Sequence, residues 1–545
     1  MANLTLSPKQ RMVVTAGVMM GMFLAALEAT VVGTAMPTVI AALGGLQHYS
    51  WVFSAYLLTS TVTVPIWGKL SDLYGRRPLY QIGIAIFLAG SILSGISNSM
   101  FQLIVFRAIQ GLGAGALVPL AMTIIGDIYT LQERARMQAW FSGVWGLASI
   151  VGPIIGGFLT DQLSWRWVFF INIPFGTLSV LVIGSSLKEP KLNEHPEIDY
   201  AGAITLTLGI VLLMLALVNS GTLRALLTLR NLLLLCGAVI FTILFVRIER
   251  KAKEPILPFS LFQNQVVKVS VLAGFLIGIA MFGAISFIPL YAQGTRGSTA
   301  TEAGSLLTPL MLSWVTLSVI GGRILLRIGY RPTVIAGCVF LTGAFAWLST
   351  FTSDTSKLFL YLDLVLIGAG LGLTMLTLLI AVQQAVPRQI LGTATSLNQF
   401  SRSIGGAVGV AIMGAFLSAG LASNLQQAAM KPAAIITPQQ AQALAANPNA
   451  LIDPTSRAAM SADQLHLLQS ALSAALRNVF LVGMIMSAIA LFIVFRLPQK
   501  IAARADQTPM PPPAKACESQ AGERMVMAEL TTIDADHEPA AVDED

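Results

Sequence analysis

The sequence predicts an all-α integral membrane bundle built by duplication, and three observations carry that expectation. Hydrophobic residues make up 55% of the 545 and charged residues only 11%, with a mean hydropathy of +0.75; soluble domains hold roughly 25% charge. Apolar stretches of the ~20 residues that a bilayer requires recur along almost the whole chain. A short polar string between two of them, GKLSDLYGRRP from Gly68 to Pro78, returns in weaker form as GRILLRIGYRP from Gly322 to Pro332. Both copies place an arginine and a proline just after the second glycine, so they read as one structural unit used twice.

Fourteen stretches read as spans, near 12–33, 50–67, 79–97, 101–123, 138–160, 167–187, 200–219, 230–247, 268–292, 303–325, 332–352, 358–382, 395–418 and 476–496. The first follows Lys9 and Arg11 in the manner of a signal peptide, but it carries Glu28 and Pro37 and runs on into the bundle, so it reads as a retained helix. The second ends in the first copy of the repeat. The fourth carries RAIQGLGAG from Arg107, and the fifth GLASIVGPIIGG, where Gly146, Ser149, Gly152, Pro153, Gly156 and Gly157 form a stripe of small residues with a helix-bending proline. The repeat falls after spans 2 and 10, an offset of eight. Gly152, Pro153 and Gly156 of span 5 lie opposite Gly405, Gly406 and Gly409 of span 13 at nearly the same offset. Six helices, two inserted helices and six more are the implied order. The boundaries are 1–190 for the first half, 191–260 for the inserted pair and its linkers, and 261–496 for the second half. Residues 419–474, rich in Ala and Gln, read as a long external loop, and 497–545, passing through PMPPP to DED, as a disordered tail.

Basic residues cluster in alternate loops, with Lys69, Arg76, Arg77, Arg134, Arg136, Lys251, Arg327 and Arg331 on the side of the N-terminus. By the positive-inside rule both termini are expected in the cytoplasm of a multi-pass protein of the inner or plasma membrane. This placement also accounts for the net charge of +7 without nucleic acid. Cys236 and Cys338 lie in apolar spans and Cys517 in the tail, which excludes a disulfide framework or cysteine metal site. No P-loop is present. His48, His195 and His466 fall in loops and His537 in the tail, an arrangement that argues against an enzyme and against a metal or other cofactor.

Charges within spans carry the mechanistic expectation, because each costs about 2.5 to 3.5 kcal/mol on insertion scales and therefore faces a cavity or a partner. Glu28 and Arg107 are the deepest, with a buried hydrogen bond or helix clamp as the plain alternative for each. Asp363 in span 12 reads equally as a transport acid or a helix-end acid. Asn398 and Arg402 in span 13, four apart and on one face, read equally as cavity lining or an interhelical clamp.

GKLSDLYGRRP resembles the signature loop of the major facilitator superfamily, and GLASIVGPIIGG resembles the motif that marks its antiporters. LEATVVGTAMP from Leu27, WRWVFFINIPFG from Trp165, EPILPFSLF from Glu254 and FIPLYAQGTRGSTATEAG from Phe287 are similar to fourteen-helix drug:proton antiporters of the EmrB/QacA type. Glu28 stands where those have an aspartate, and Gly33 where they have an asparagine. The resemblance implies a gate in which Gly68, Gly75 and Arg77 shape the turn, Asp72 meets a helix N-terminus of the other half, and Arg76 pairs with Asp127; the second copy has Leu326 in place of Asp72. It also implies an intramembrane arginine, here Arg107, tuning a nearby proton site. The expected function is proton-driven efflux of hydrophobic, cationic compounds, with Glu28 holding either a proton or the substrate and the proton gradient serving in place of any cofactor. Export of a lipid, siderophore or metabolite, or a non-transporting receptor, would share these motifs. A periplasmic adaptor is left open.

Overall fold

The computed structural model describes residues 7–43, 49–187, 199–218, 227–298, 302, 306–352, 355–430, 436–446 and 460–498. Most of the tail from 497 onward therefore lies outside the described residues. In chain order the helices are α1 (Pro8–Leu43), α2 (Tyr49–Tyr74), α3 (Arg76–Gly95), α4 (Met100–Ile128), α5 (Leu131–Gln162), α6 (Trp167–Phe170), α7 (Asn172–Ser186), α8 (Tyr200–Val218), α9 (Leu229–Glu249), α10 (Gln265–Arg296), α11 (Leu307–Ile328), α12 (Tyr330–Leu348), α13 (Lys357–Ala385), α14 (Leu391–Ala429), α15 (Pro438–Ala446) and α16 (Ala462–Val494). Two short 3-10 turns, Phe259–Gln263 and Arg388–Ile390, lead into α10 and α14. No strand occurs among the described residues.

Among the described residues twelve helices are long and apolar enough to cross a membrane, α6 and α7 acting as one. The remaining long helices, α2 and α5, have 26 and 32 residues and are not among the twelve.

The packing repeats as the sequence does. In the first half α4 lies against α2 and α3, and α1 against α5 and α7. In the second, α13 lies against α11 and α12, and α10 against α14 and α16. Each half has its own apolar core, one running from Val14 to Leu187 and the other from Val266 to Leu497. The halves meet through α2 on α14 and α5 on α11, a reciprocal pair of contacts between equivalent helices. The helices α8 and α9 pack on each other, and α8 also touches α2 and α14 at this junction. Only 17% of the apolar window of α9 is buried, so Leu233, Val239, Ile240 and Ile243 face outward, as suits contact with lipid.

Local chemistry sets the breaks between helices. Gly75, between α2 and α3, has φ 95°, and Gly329, between α11 and α12, has φ 90°. Both also carry extended ψ values, 157° and 177°, a backbone region essentially confined to glycine. The two turns of the repeat are thus the same turn in structure. Ser99 starts α4 by accepting a hydrogen bond from the Gln102 backbone N–H at 3.2 Å, the usual N-cap arrangement.

The segment 419–474 is helical at both ends. α14 continues to Ala429, and α16 starts at Ala462 behind a capping box made by Ser461 and Gln464. Leu421, Leu425, Leu468 and Leu472 are buried between the two extensions, and Asn424 Nδ2 donates to the Ala471 carbonyl at 3.1 Å. Helical spacing of those leucines extends both rods past the apolar stretch that marks a span. Residues 431–435 and 447–459 of this segment lie outside the described residues.

Candidate functional site

Two clusters of buried charge occupy the first half, and one of them reaches into the second. At the end of the bundle that carries Gly75 and Gly329, the side chain of Asp72 is only 2% exposed. A charge so placed requires partners on nearly every lone pair. Asp72 Oδ1 accepts from the Gly392 N–H at 2.9 Å, and Oδ2 from the Thr393 N–H at 2.6 Å and the Thr393 hydroxyl at 2.7 Å. Those amides are the first turn of α14, whose unpaired N–H groups and dipole favour an anion. Arg76 Nη2 pairs with Asp72 Oδ1 at 2.6 Å and also donates to the Arg388 carbonyl at 3.3 Å. Its Nε reaches Asp127 Oδ2 of α4 at 3.1 Å. One charge relay thus joins α2, α3 and α4 to the start of α14.

The backbones come close enough for this because of glycine. A Cβ on Gly68 would strike the Ser396 side chain, and one on Gly392 would press on Ser71, Asp72 and the Gly68 carbonyl. Lys69 Nζ, at the end of α2, meets Glu254 Oε2 at 2.7 Å and so ties the EPILPF connection after α9 to the relay. In the second copy of the motif Leu326 is 43% exposed and has no such role. Arg77 belongs to the same turn, at the start of α3.

The second cluster lies within the bundle. Glu28 of α1 and Arg107 of α4 are each 2% exposed and form an ion pair through Arg107 Nη1 and Glu28 Oε1. Asn172 Nδ2, at the start of α7, donates to Glu28 Oε2 at 2.7 Å and to Ser91 Oγ at 3.0 Å. Arg107 Nη1 also donates to Gln110 Oε1 at 2.7 Å and its Nε to the Val52 carbonyl at 3.3 Å. The Tyr56 ring lies 4.2 Å from the guanidinium carbon, a cation–π distance. Helices α1, α2, α3, α4 and α7 therefore all contribute to one buried network. Asn172, Gln110, Ser91 and Tyr56 were not singled out by sequence as partners of Glu28. Gln110 stands three residues after Arg107, which is the one sequence signal for it.

The stripe on α5 holds this network's helix in place. A Cβ on Gly152 would meet the Thr30 side chain, two residues beyond Glu28, and Thr30 Oγ1 donates to the Ala148 carbonyl at 3.2 Å. Gly146 approaches Val315 of α11 in the other half. Gly156 offers its carbonyl to Thr160 Oγ1 at 2.7 Å, while nothing adjoins a Cβ built on Gly157. The side chains of Ser149 and Pro153 lie outside the described residues.

The three candidates of the second half stand apart from both clusters. Asp363 is fully buried in α13, with neither carboxyl oxygen hydrogen-bonded among the described residues. That burial argues against an acid exposed at the helix end. Asn398 is buried on α14, its Nδ2 without a partner among the described residues. Arg402, one turn on, donates to Gln399 Oε1 and to Met375 Sδ of α13.

Comparison with known proteins agrees with this architecture. The model of the Major Facilitator Superfamily matches residues 18–410. The chain is 43% identical over 437 residues to the multidrug transporter protein MdtP of Bacillus subtilis, covering 80% of this chain and 81% of that one. It is 38% identical to multidrug resistance protein 3 of the same organism, over 74% of this chain and 78% of that one. Among solved structures, the human organic anion transporter MFSD10 aligns with a TM-score of 0.58 at 16% identity, over 88% of this chain and 100% of that one. The proton:xylose symporter XylE gives 0.56 at 12%, over 90% and 96%. At those identities the likeness is one of fold.

Proposed function

The chain belongs to the major facilitator superfamily, a family of membrane transporters rather than enzymes, and from that premise we propose that it is a proton-coupled antiporter exporting hydrophobic toxic compounds by alternating access. Its relatives are multidrug transporters, which supports efflux at the level of the family. The single observation that carries the coupling is Glu28, a carboxylate buried in α1 whose donors are Arg107 and Asn172. Protonation of Glu28 removes its negative charge and leaves the Arg107 cation paired only with neutral acceptors, so the network has two arrangements of different charge. A bundle that opens to one side in one arrangement and to the other side in the second exchanges a proton for cargo.

In this reading α2 and α5 also cross the membrane, giving the fourteen-helix plan of the EmrB/QacA type, arranged as six, two and six. In that plan the basic loops and both termini are cytoplasmic. The relay from Asp72 to α14 then lies on the cytoplasmic side and holds that end closed. Asp72, Arg76 and Asp127 latch the gate, and the glycine stripe of α5 lets α1 ride against it. Protons, hydrophobic substrates and the lipid bilayer are the partners this mechanism requires.

The test is uptake of a fluorescent dye by energised everted vesicles, with and without an uncoupler, by wild type and Glu28→Gln. Uncoupler-sensitive uptake that Glu28→Gln abolishes is expected. Uptake indifferent to the uncoupler would remove proton coupling.

A further inference from the structure

We propose that Arg402 and Asn398 form an anion-recognising subsite of the transport path, and that cargo held there bears a carboxylate or another negatively charged oxygen. The inference rests on the efflux reading and names its substrate class. Arg402 is partly buried, and its guanidinium has only neutral partners, Gln399 Oε1 on its own helix and Met375 Sδ at 3.3 Å. Among the described residues no carboxylate pairs with it. Asn398 stands one turn earlier on the same face; the residue is 7% exposed and its Nδ2 has no acceptor among the described residues. Buried donors are nearly always satisfied, and a cation in a low-dielectric interior is costly without a counter-charge. A cation and an amide donor left open on one face call for an acceptor that comes and goes.

The position of this face is fixed by the helices around it. Gln383 lies two turns beyond Met375 on α13, and its Nε2 donates to the Met122 carbonyl of α4 at 3.2 Å and to Thr395 Oγ1 of α14 at 3.5 Å. The seam between α13 and α14 thus closes on the first half at Gln383. About 12 Å further along the same seam stand Met375 and, against it, Arg402. Guanidinium groups favour carboxylate oxygens, which they bind with two parallel hydrogen bonds.

The buried acids do not compete for this cation. Glu28 is engaged by Arg107 and Asn172 in its own half. Asp363 lies twelve residues before Met375, about 18 Å along the helix. The sequence expectation places a cationic substrate at Glu28, whose oxygens are taken by Arg107 and Asn172, whereas Arg402 has no carboxylate partner among the described residues.

Binding to the purified full chain in detergent tests the proposal, using 1-naphthylacetate, its neutral amide 1-naphthylacetamide and the cation 1-naphthylmethylammonium. Wild type is expected to bind the carboxylate on the order of tenfold more tightly than the amide. Arg402→Gln should erase that preference, Arg402→Lys should keep part of it, and Asn398→Ala should weaken the carboxylate severalfold. Equal binding of the three probes, no binding of the carboxylate, or a preference that survives in Arg402→Gln overturns the subsite. Should Arg402→Gln not fold, the comparison of carboxylate with amide on wild type decides alone. Gradient-driven uptake of the same probes into everted vesicles separates the two readings. Uptake of all three alike keeps the antiporter and removes the subsite; a binding preference without gradient-driven uptake keeps the subsite and removes the antiporter.

Discussion

A charge in an apolar run is costly wherever it lies, so Glu28 and Arg107 were legible from sequence as residues that must have partners. What the sequence left open was whose partners they are. An amide such as Asn172 or Gln110 inserts at lower cost and faces lipid, cavity or neighbour with equal ease, and only the meeting of α1, α4 and α7 aims both at the pair. Removing one member of a buried ion pair strands the other. Arg107→Met is therefore expected to destabilise the protein by about 3–5 kcal/mol, and the double variant Glu28→Gln/Arg107→Met to recover much of that loss. A denaturation cycle in detergent checks it; losses that simply add would show that the two side chains do not act as a pair. At Arg402 the same rule ran to a different end, since the residue type announces a need for a counter-charge that no described side chain meets.

At the scale of helices and turns, the repeat was legible because a turn demanding glycine leaves glycine in the sequence twice. Gly75→Ala and Gly329→Ala are each expected to cost about 1–3 kcal/mol, because both hold φ near 90°. Thermal melting in detergent measures this, and an unchanged midpoint for either would mean that the turn relaxes. Gly152→Val should be worse for transport than for folding of the rest, since its side chain enters the space of Thr30 beside the Glu28 network. The latch makes a further demand on chemistry: Asp72→Asn keeps the shape but replaces an ionic acceptor of four donors with an amide that has one acceptor oxygen. Turnover in proteoliposomes should fall several-fold with insertion intact, and normal flux would reduce the loop to a topological turn. The acceptors' partners, Gly392 and Thr393, carry no sequence mark, because any helix N-terminus offers free amides. The extended ends of α14 and α16 escaped a reading based on apolar length, since their polar faces dilute the leucines buried between them.

For the whole molecule, two halves pack alike and touch through equivalent helices, the symmetry that the proposed alternating access requires, with the relay from Asp72 to α14 as its proposed latch. The proposed orientation predicts that a cysteine placed at Ser99 labels from outside and a reporter fused at the C-terminus responds from the cytoplasm. An external C-terminus would contradict the fourteen-span plan. The central claim is that a proton on Glu28 drives export, and it is tested most directly by proton release on substrate binding, followed in weakly buffered detergent solution alongside gradient-driven efflux. Wild type should release protons when cargo binds and lose efflux when the gradient is collapsed, while Glu28→Gln should bind cargo without releasing protons and show no gradient-driven efflux. If Glu28→Gln still accumulates substrate against its gradient and still releases protons, the carrier lies elsewhere, with buried Asp363 the next acid to test.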